Sequence, residues 1–322
     1  MIQRLRGRKV AIGLIVLIAA AAVLATARIA DGGKSGSAGP KVVIAKTTRT
    51  NVIVILTDDQ RSETLASMPN VQKYLVKHGV TFENSFVSDS LCCPSRASIL
   101  TGNYAHTTGV YDNRPPHGGA PTFRKLGDDK STIATWLQAG GYDTGLFGKY
   151  LNSYGGGVPP GWDRWVSFDY EPGYRPYLAF SNAPGDCPKG VKACRIHHKI
   201  KAYSTLFFGD AATKFIDTAP ASKPVFVYYA PYAPHRPSVP QNIYTNRFQH
   251  LSQFRPPNYN EANVSDKPPW IRKLPRFGPV ENAQLYAERQ AEYQTLVTVD
   301  RAVGSIIASL KATHRLAHSV IL

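Results

Sequence analysis

The sequence predicts an α/β fold in which a mostly parallel sheet is sandwiched by helices. Three observations carry this. The runs Asn51–Leu56 (NVIVIL) and Val225–Tyr229 (VFVYY) are continuously apolar and rich in β-branched or aromatic residues, as strands buried on both faces should be. Strand patterns alternate along the chain with helical ones, the order that builds a parallel sheet covered on both sides. Polar residues able to do chemistry (Asp58 and Asp59, Lys149, His235) come just after predicted strands, where open α/β sheets form their sites.

The elements follow in order. Met1–Lys9 is basic, and Val10–Ala27 is an apolar run ending in Ala25-Thr26-Ala27, an A-x-A type cleavage site. This predicts an export signal over 1–27; the run is also just long enough to be a retained membrane anchor. Residues 28–48, rich in Gly, Ser, Ala and Lys, read as a linker, and 49–322 as the catalytic domain. After the strand at Asn51, helices are expected over Val71–His78 and Pro94–Leu100, the latter with a proline near its first turn. Thr132–Ala139 is helical up to the Gly140-Gly141 break, and Tyr142–Phe147 is a strand. Tyr203–Thr218 has helical spacing, and Pro224 opens the strand at Val225. Leu285–Lys311 is a long helix with Leu296, Val299, Val303, Ile306, Ile307 and Leu310 on one face. Ser319–Leu322 begins one more buried strand.

Composition bounds the function. The 322 residues carry 38 Lys and Arg against 22 Asp and Glu, a net charge of +16. Arg4, Arg6, Arg8 and Lys9 belong to the amino-terminal segment, so the remainder stays strongly basic. Such a surface attracts anions: nucleic acid, acidic lipid or sulfated glycan. The sequence has no run of five Lys or Arg and no nucleic-acid motif, which argues against a nucleic-acid partner. Four cysteines are too few for a disulfide scaffold. Cys187 and Cys194 enclose a short loop and can pair in an oxidising compartment.

Two motifs carry chemistry. Asp58 and Asp59, at the end of a buried strand, repel each other unless a cation sits between them; hard oxygen ligands suit Ca²⁺ or Mg²⁺. A turn or a helix cap would also use such a pair. Cys92, at a helix amino terminus near Arg96, is expected to have a lowered pKa. A small buried cysteine before a capped helix is the plainer reading, but it leaves the sequence Cys-x-Pro-Ser-Arg-x-x-x-Leu-Thr-Gly (92–102) unexplained.

That segment resembles the signature that sulfatases present to the formylglycine-generating enzyme, with Cys92 as the modified residue. From about Asn51 onward the chain is similar to the sulfatase family, an alkaline-phosphatase-like α/β fold. It looks most like the N-acetylglucosamine-6-sulfatase and heparan endosulfatase branch. The resembling stretches are Leu91–Gly102 (LCCPSRASILTG), Gly148–Asn152 (GKYLN), Val158–Trp162 (VPPGW) and the loop Asn258–Trp270.

The resemblance implies roles for single residues. Asp58, Asp59 and the formylglycine from Cys92 would hold Ca²⁺, with Mg²⁺ the alternative. The hydrated formylglycine would attack sulfur, release the sugar alcohol and then expel sulfate. Arg96 would hold the hydrated aldehyde, Lys149 the sulfate group, and His235 would act near the leaving oxygen as general acid. Leu151 stands where many arylsulfatases have a histidine, which leaves Asn152 for a polar role and favours a glycan. Apart from the resemblance, His106, Asp112 and Asn113, in the loop after the signature helix, are candidates to line the sugar pocket, with structural roles in the loop the equal alternative. The implied partner is a sulfated glycan or another sulfate ester, with a membrane involved only if the signal is kept as an anchor.

The implied activity is removal of 6-O-sulfate from N-acetylglucosamine units by an exported enzyme. A phosphomonoester or phosphonate ester hydrolase of the same superfamily is one alternative. Another is a catalytically inactive product that at most binds sulfated glycans. The family's further metal motif, Asp-Asn-Gly or Asp-His-Gly, does not follow Leu285. The resemblance therefore implies an incomplete catalytic domain, truncated at the carboxyl end, with half of the metal site.

Overall fold

The computed structural model describes residues 49–196 and 200–322. The export-signal and linker readings on 1–48 lie outside the described residues. Among the described residues no helix is long and apolar enough to cross a membrane.

Among the described residues seven strands form one sheet: β1 (Asn51–Ile55), β2 (Asp143–Gly148), β3 (Arg164–Phe168), β4 (Ala179–Ser181), β5 (Cys194–Arg195), β6 (Val225–Ala230) and β7 (Ser319–Ile321). Their order is β5-β4-β3-β2-β6-β1-β7. The pairs β3–β2, β2–β6, β6–β1 and β1–β7 are parallel, and β4 and β5 are added antiparallel at one edge. The expected mostly parallel sheet is therefore present, in an alkaline-phosphatase-like α/β fold.

Strand β6 shows why both faces must be covered. Every residue of VFVYYA is buried, and successive side chains point to opposite faces. Val225, Val227 and Tyr229 join one core with Phe208, Phe215, Leu296, Val299 and Ile306. Phe226, Tyr228 and Ala230 join the other with Ala97, Leu100, Phe123, Ala134 and Trp165. The first core is roofed by two helices, Ser204–Thr218 and Pro279–Ala312. The second is roofed by three shorter ones, Cys92–Thr101, Gly119–Leu126 and Ile133–Ala139. In chain order these are α1 (Cys92–Thr101), α2 (Gly119–Leu126), α3 (Ile133–Ala139), α4 (Ser204–Thr218) and α5 (Pro279–Ala312).

Local chemistry sets their ends. Helix α3 opens on a capping box, with the Thr132 side chain accepting from Thr135 N and Thr135 Oγ1 accepting from Thr132 N. Helix α1 ends at Gly102 in the left-handed region, φ 71°. Helix α5 starts earlier than the periodicity predicts. Pro279 occupies its first position and the Gly278 N–H donates to Glu281 Oε2 at 2.9 Å. The helix expected over Val71–His78 is instead a short α turn, Pro69–Val71, that widens into a π turn, Gln72–Val76. Asp300 of α5 accepts the Asn70 and Val71 N–H groups and so caps it from a distance. Among the described residues β7 pairs with β1 alone, in parallel, and its Val320 is 47% exposed. Cys187 and Cys194 are disulfide-bonded, which ties β5 to the loop after β4.

One polar residue fastens the amino-terminal ends of the central strands. Asn51 is 3% exposed. Its Nδ2 donates to the His318 carbonyl at 2.9 Å, and its Oδ1 accepts from Val225 N at 3.0 Å and from Arg315 Nη1 at 3.3 Å. It therefore joins β1 to β6 and to the residue before β7. Asn51→Leu strands these buried groups together. We expect a loss of about 2–4 kcal/mol, read as a lower urea midpoint at unchanged slope.

Candidate active site

The site is assembled where the parallel strands end. β1 runs out at Ile55, and the chain turns through Asp58 and Asp59, the latter with φ 59°. β2 runs out at Gly148, whose φ is 120°. A Cβ there would lie 2.1 Å from the Ala230 carbonyl oxygen, so glycine alone lets the two strand ends close and delivers Lys149 inward. β6 ends at Ala230 and leads through Tyr232 to His235. Helix α1 supplies Cys92 and Arg96 from its first turns. Its early N–H groups have no helical partner, and the Cys93 N–H donates to Asn113 Oδ1 at 2.8 Å.

At the centre is the Asp58 carboxylate, 3% exposed. Its Oδ1 accepts from Arg96 Nη2 at 3.1 Å and its Oδ2 from Lys149 Nζ at 2.5 Å. Arg96 also donates through Nη1 to the Lys149 carbonyl at 3.0 Å. Burial alone would raise the Asp58 carboxyl, but Arg96 and Lys149 outweigh it and hold it below the usual carboxylate range. Cys92 Sγ lies 3.8 Å from Asp58 Oδ1. Asp59 is half-exposed and sits 3.5 Å from His235 Nε2. His235 Nδ1 faces the Arg236 carbonyl, which can only accept, so Nδ1 carries a hydrogen and Nε2 is left to exchange a proton or bind a cation.

The expectation of a lowered Cys92 pKa is overturned. Burial pushes the thiol up, and Asp58 and Asp59 add to this; Lys149 pulls the other way without winning. The helix amino terminus and Arg96 do not compensate, because Arg96 is spent on Asp58. Near neutral pH the group is a thiol, not a thiolate.

Asp58, Cys92 and His235 each place one ligand atom within 4.8 Å of the others. With the Asp59 carboxylate beside His235, these donors fit a divalent cation; an oxygen in place of sulfur at position 92 would suit a hard cation better. The structure thus brings Asp58, Asp59, Cys92, Arg96, Lys149 and His235 into one place. Asn113 and Asn152 lie together on a neighbouring wall. A Cβ at Gly119 would stand 3.0 Å from the Asn113 carbonyl oxygen and 3.2 Å from that of Asn152. Asn113 caps α1, and Asn152 Oδ1 is buried without a partner. His106 is exposed and stacks on Tyr104, with no bond to the Asp58 cluster among the described residues.

Two contributors escaped the sequence reading. Tyr232 stacks on His235 with ring centroids 4.6 Å apart and lies under Lys149 Nζ at 5.8 Å. Burial, then Asp58 and Asp59, push its hydroxyl up to about 12, so it stays neutral. Its place three residues before His235 was the available signal. Glu292 of α5 is buried and binds Arg61 Nη2 at 2.7 Å and Arg236 Nε at 3.3 Å. It joins the segment after Asp59 to the residue after His235. Nothing in a helical acid 56 residues from Arg236 announces this.

Removing the Asp58 charge leaves two buried cations facing each other. Asp58→Ala should therefore destabilise by roughly 3–5 kcal/mol, measured by denaturant unfolding at neutral pH. The folded carboxyl titrates below the unfolded value of about 3.9. Its contribution is complete above that value and disappears as the pH falls through the folded one. The difference between wild type and Asp58→Ala should accordingly shrink in acid.

Comparisons with known proteins identify the family. The sulfatase family model matches residues 50–322. The chain is 32% identical over 296 residues to an arylsulfatase of Volvox carteri, covering 82% of this chain and 44% of that protein. It is 31% identical over 300 residues to the human N-acetylglucosamine-6-sulfatase, covering 89% of this chain and 52% of the relative. The chain thus spans about half the length of these relatives. A solved protein in complex with its substrate D-glucosamine-2-N,6-O-disulfate superposes with a TM-score of 0.64 at 21% identity, over 85% of this chain and 64% of that one, a likeness of fold. By the match over the whole described domain, the chain belongs to the sulfatase family.

Proposed function

We propose that the protein is an exported sulfuric ester hydrolase that removes 6-O-sulfate from N-acetylglucosamine units of a sulfated glycan. Cys92 is converted to formylglycine in this reading, and Ca²⁺ (or Mg²⁺) is the metal. One observation carries it: the cysteine of the Cys-x-Pro-Ser-Arg segment lies 3.8 Å from a buried carboxylate whose other oxygen is held by Lys149. The likeness to the human N-acetylglucosamine-6-sulfatase supports the choice of sugar. The basic and apolar amino-terminal segments and the Cys187–Cys194 disulfide support export.

The chain's own residues divide the work. Lys149, 2% exposed, brings a desolvated positive charge to the sulfate oxygens, where it offsets charge gathered in the transition state. Arg96 fixes Asp58 and the Lys149 backbone and so keeps that charge in register. His235 stands outside the metal set in this reading and turns Nε2 to the departing sugar oxygen as general acid, with Tyr232 stacked on its ring and Asp59 beside it. Asn113 and Asn152, with His106 farther out, form the wall for the sugar. Asp58, Asp59 and residue 92 would hold the metal, which when bound supplies Lewis acidity and eases deprotonation of an adjacent hydroxyl.

Three measurements test this. Sulfate release from N-acetylglucosamine-6-sulfate should exceed phosphate release from a matched phosphate monoester, and faster phosphate turnover would sink the reading. Lys149→Ala should lower kcat/KM for the sulfate ester by about 100-fold or more. Mass spectrometry of the peptide spanning Cys92, from a host with the converting enzyme, should show one sulfur and two hydrogens exchanged for one oxygen. Separately, added Ca²⁺ should raise the thermal midpoint of the wild type but not of a variant with both Asp58→Ala and Asp59→Ala. No shift in the wild type would remove the metal from the proposal.

A further inference from the structure

Beside the Asp58 site lies a second cavity of about 250 Å³. Arg61, Arg236, Arg255 and Arg289 line it, and no carboxylate does. Two of these arginines are already neutralised from behind: Arg61 by Glu63 and Glu292, Arg236 by Glu288 and Glu292. The other two are not. Among the described residues no carboxylate pairs with Arg255 or Arg289. Arg289 donates to the Ser252 carbonyl at 2.7 Å and to the Tyr293 hydroxyl at 3.2 Å, with its Nε left buried and unpartnered. Two aromatic rings hold the guanidinium groups in place. Phe254 lies under Arg289 at 5.6 Å and under Arg61 at 6.0 Å, and Tyr259 under Arg255 at 5.6 Å.

Two of the cavity's lining residues are chain neighbours of the site already described. Arg61 is two residues from Asp59, at most about 7 Å along the chain. Arg236 directly follows His235, and Asp59 and His235 are themselves 3.5 Å apart. The segments that carry Asp59 and His235 thus also carry two of the four arginines of the cleft. An arginine fork on an aromatic face, without a competing carboxylate, suits a planar or tetrahedral oxyanion such as a carboxylate or a sulfate.

We propose that the arginine cleft is a subsite for an acidic group on the sugar next to the one whose ester is cleaved. This rests on the glycan reading above. Arg255 and Arg289 supply the binding charge, and Arg61 and Arg236 form the wall shared with the Asp59–His235 pair. The cleft makes the enzyme prefer a 6-sulfated glucosamine inside an acidic chain over the free monosaccharide or a neutral neighbour.

Calorimetric binding to the intact protein tests it with four ligands. They are N-acetylglucosamine-6-sulfate, the same sugar linked to a uronic acid, that disaccharide with the carboxyl reduced to the alcohol, and a disaccharide with sulfate in place of the carboxylate. An acidic disaccharide should bind about tenfold more tightly than the reduced one, and added salt should erode the gain. The larger gain, carboxylate or sulfate, names the anion. The double variant Arg255→Ala, Arg289→Ala should erase the gain while leaving the monosaccharide affinity unchanged; the lost Arg289 bonds lower the thermal midpoint, so binding is compared below it, on folded protein. Equal affinity for acidic and reduced disaccharides in the wild type, or an intact gain in the double variant, overturns the subsite. Lys149→Ala reports on the other reading. If it leaves monosaccharide affinity untouched, the proposed sulfate site fails, while the acidic-against-reduced comparison still decides the cleft.

Discussion

A single buried carboxylate, Asp58, sets the terms for the rest of the site. It is held by Arg96 on one oxygen and Lys149 on the other. Taking three charges out of water is expensive, and the cost is met only if all three stay together. That requirement binds the end of β1 to the end of β2 and to the first turns of α1. The trio carries a net positive charge, with Asp59 at the solvent side. An interior of this sign favours an anionic group brought against Lys149 and a cation brought between the two aspartates.

The four cysteines fall into two chemical states, and their surroundings say why. Cys187 and Cys194 are joined. Cys92 and Cys93 are free, although adjacent in sequence. Burial pushes Cys93 up to about 11, and burial with two nearby aspartates raises Cys92. Both remain thiols at neutral pH, poor attackers of disulfides and slow to oxidise. An unconverted Cys92 is accordingly a quiet side chain, not a second kind of nucleophile.

Much of the fold was legible because the central strands are buried on both sides. β1 and β6 announce themselves as unbroken apolar runs, and α4 and α5 by helical spacing. β3, β4 and β5 did not, since strands of two to five residues among Gly, Pro and Tyr carry too little pattern to separate from loop. Helix α2 was missed as well: its glycine and proline start hides a two-turn helix whose buried side is Ala120 and Phe123. The site was legible to the extent that its residues follow strand ends or sit in a motif. The pairings were not. Asp58 and Lys149 are 91 residues apart, and only the closure of Gly148 against Ala230 makes them partners. The Cys92 pKa was misjudged for the same reason, since Arg96 is visible in the sequence and its commitment to Asp58 is not.

The ion pairs of Glu292 give α5 a mechanical meaning. The helix has 34 residues, about 50 Å of rod at 1.5 Å per residue. Its carboxy-terminal half is locked into the core through Leu296, Val299, Val303 and Ile306. Glu292 stands where that locked half begins, and from there it grips Arg61 and Arg236 together. The loops bearing Asp59 and His235 are therefore both tied to α5 through one carboxylate, besides their own contact. Local opening of either loop must break a buried charge contact with the rod, so amide exchange in both should be slow and should rise in concert when the Glu292 carboxylate is removed.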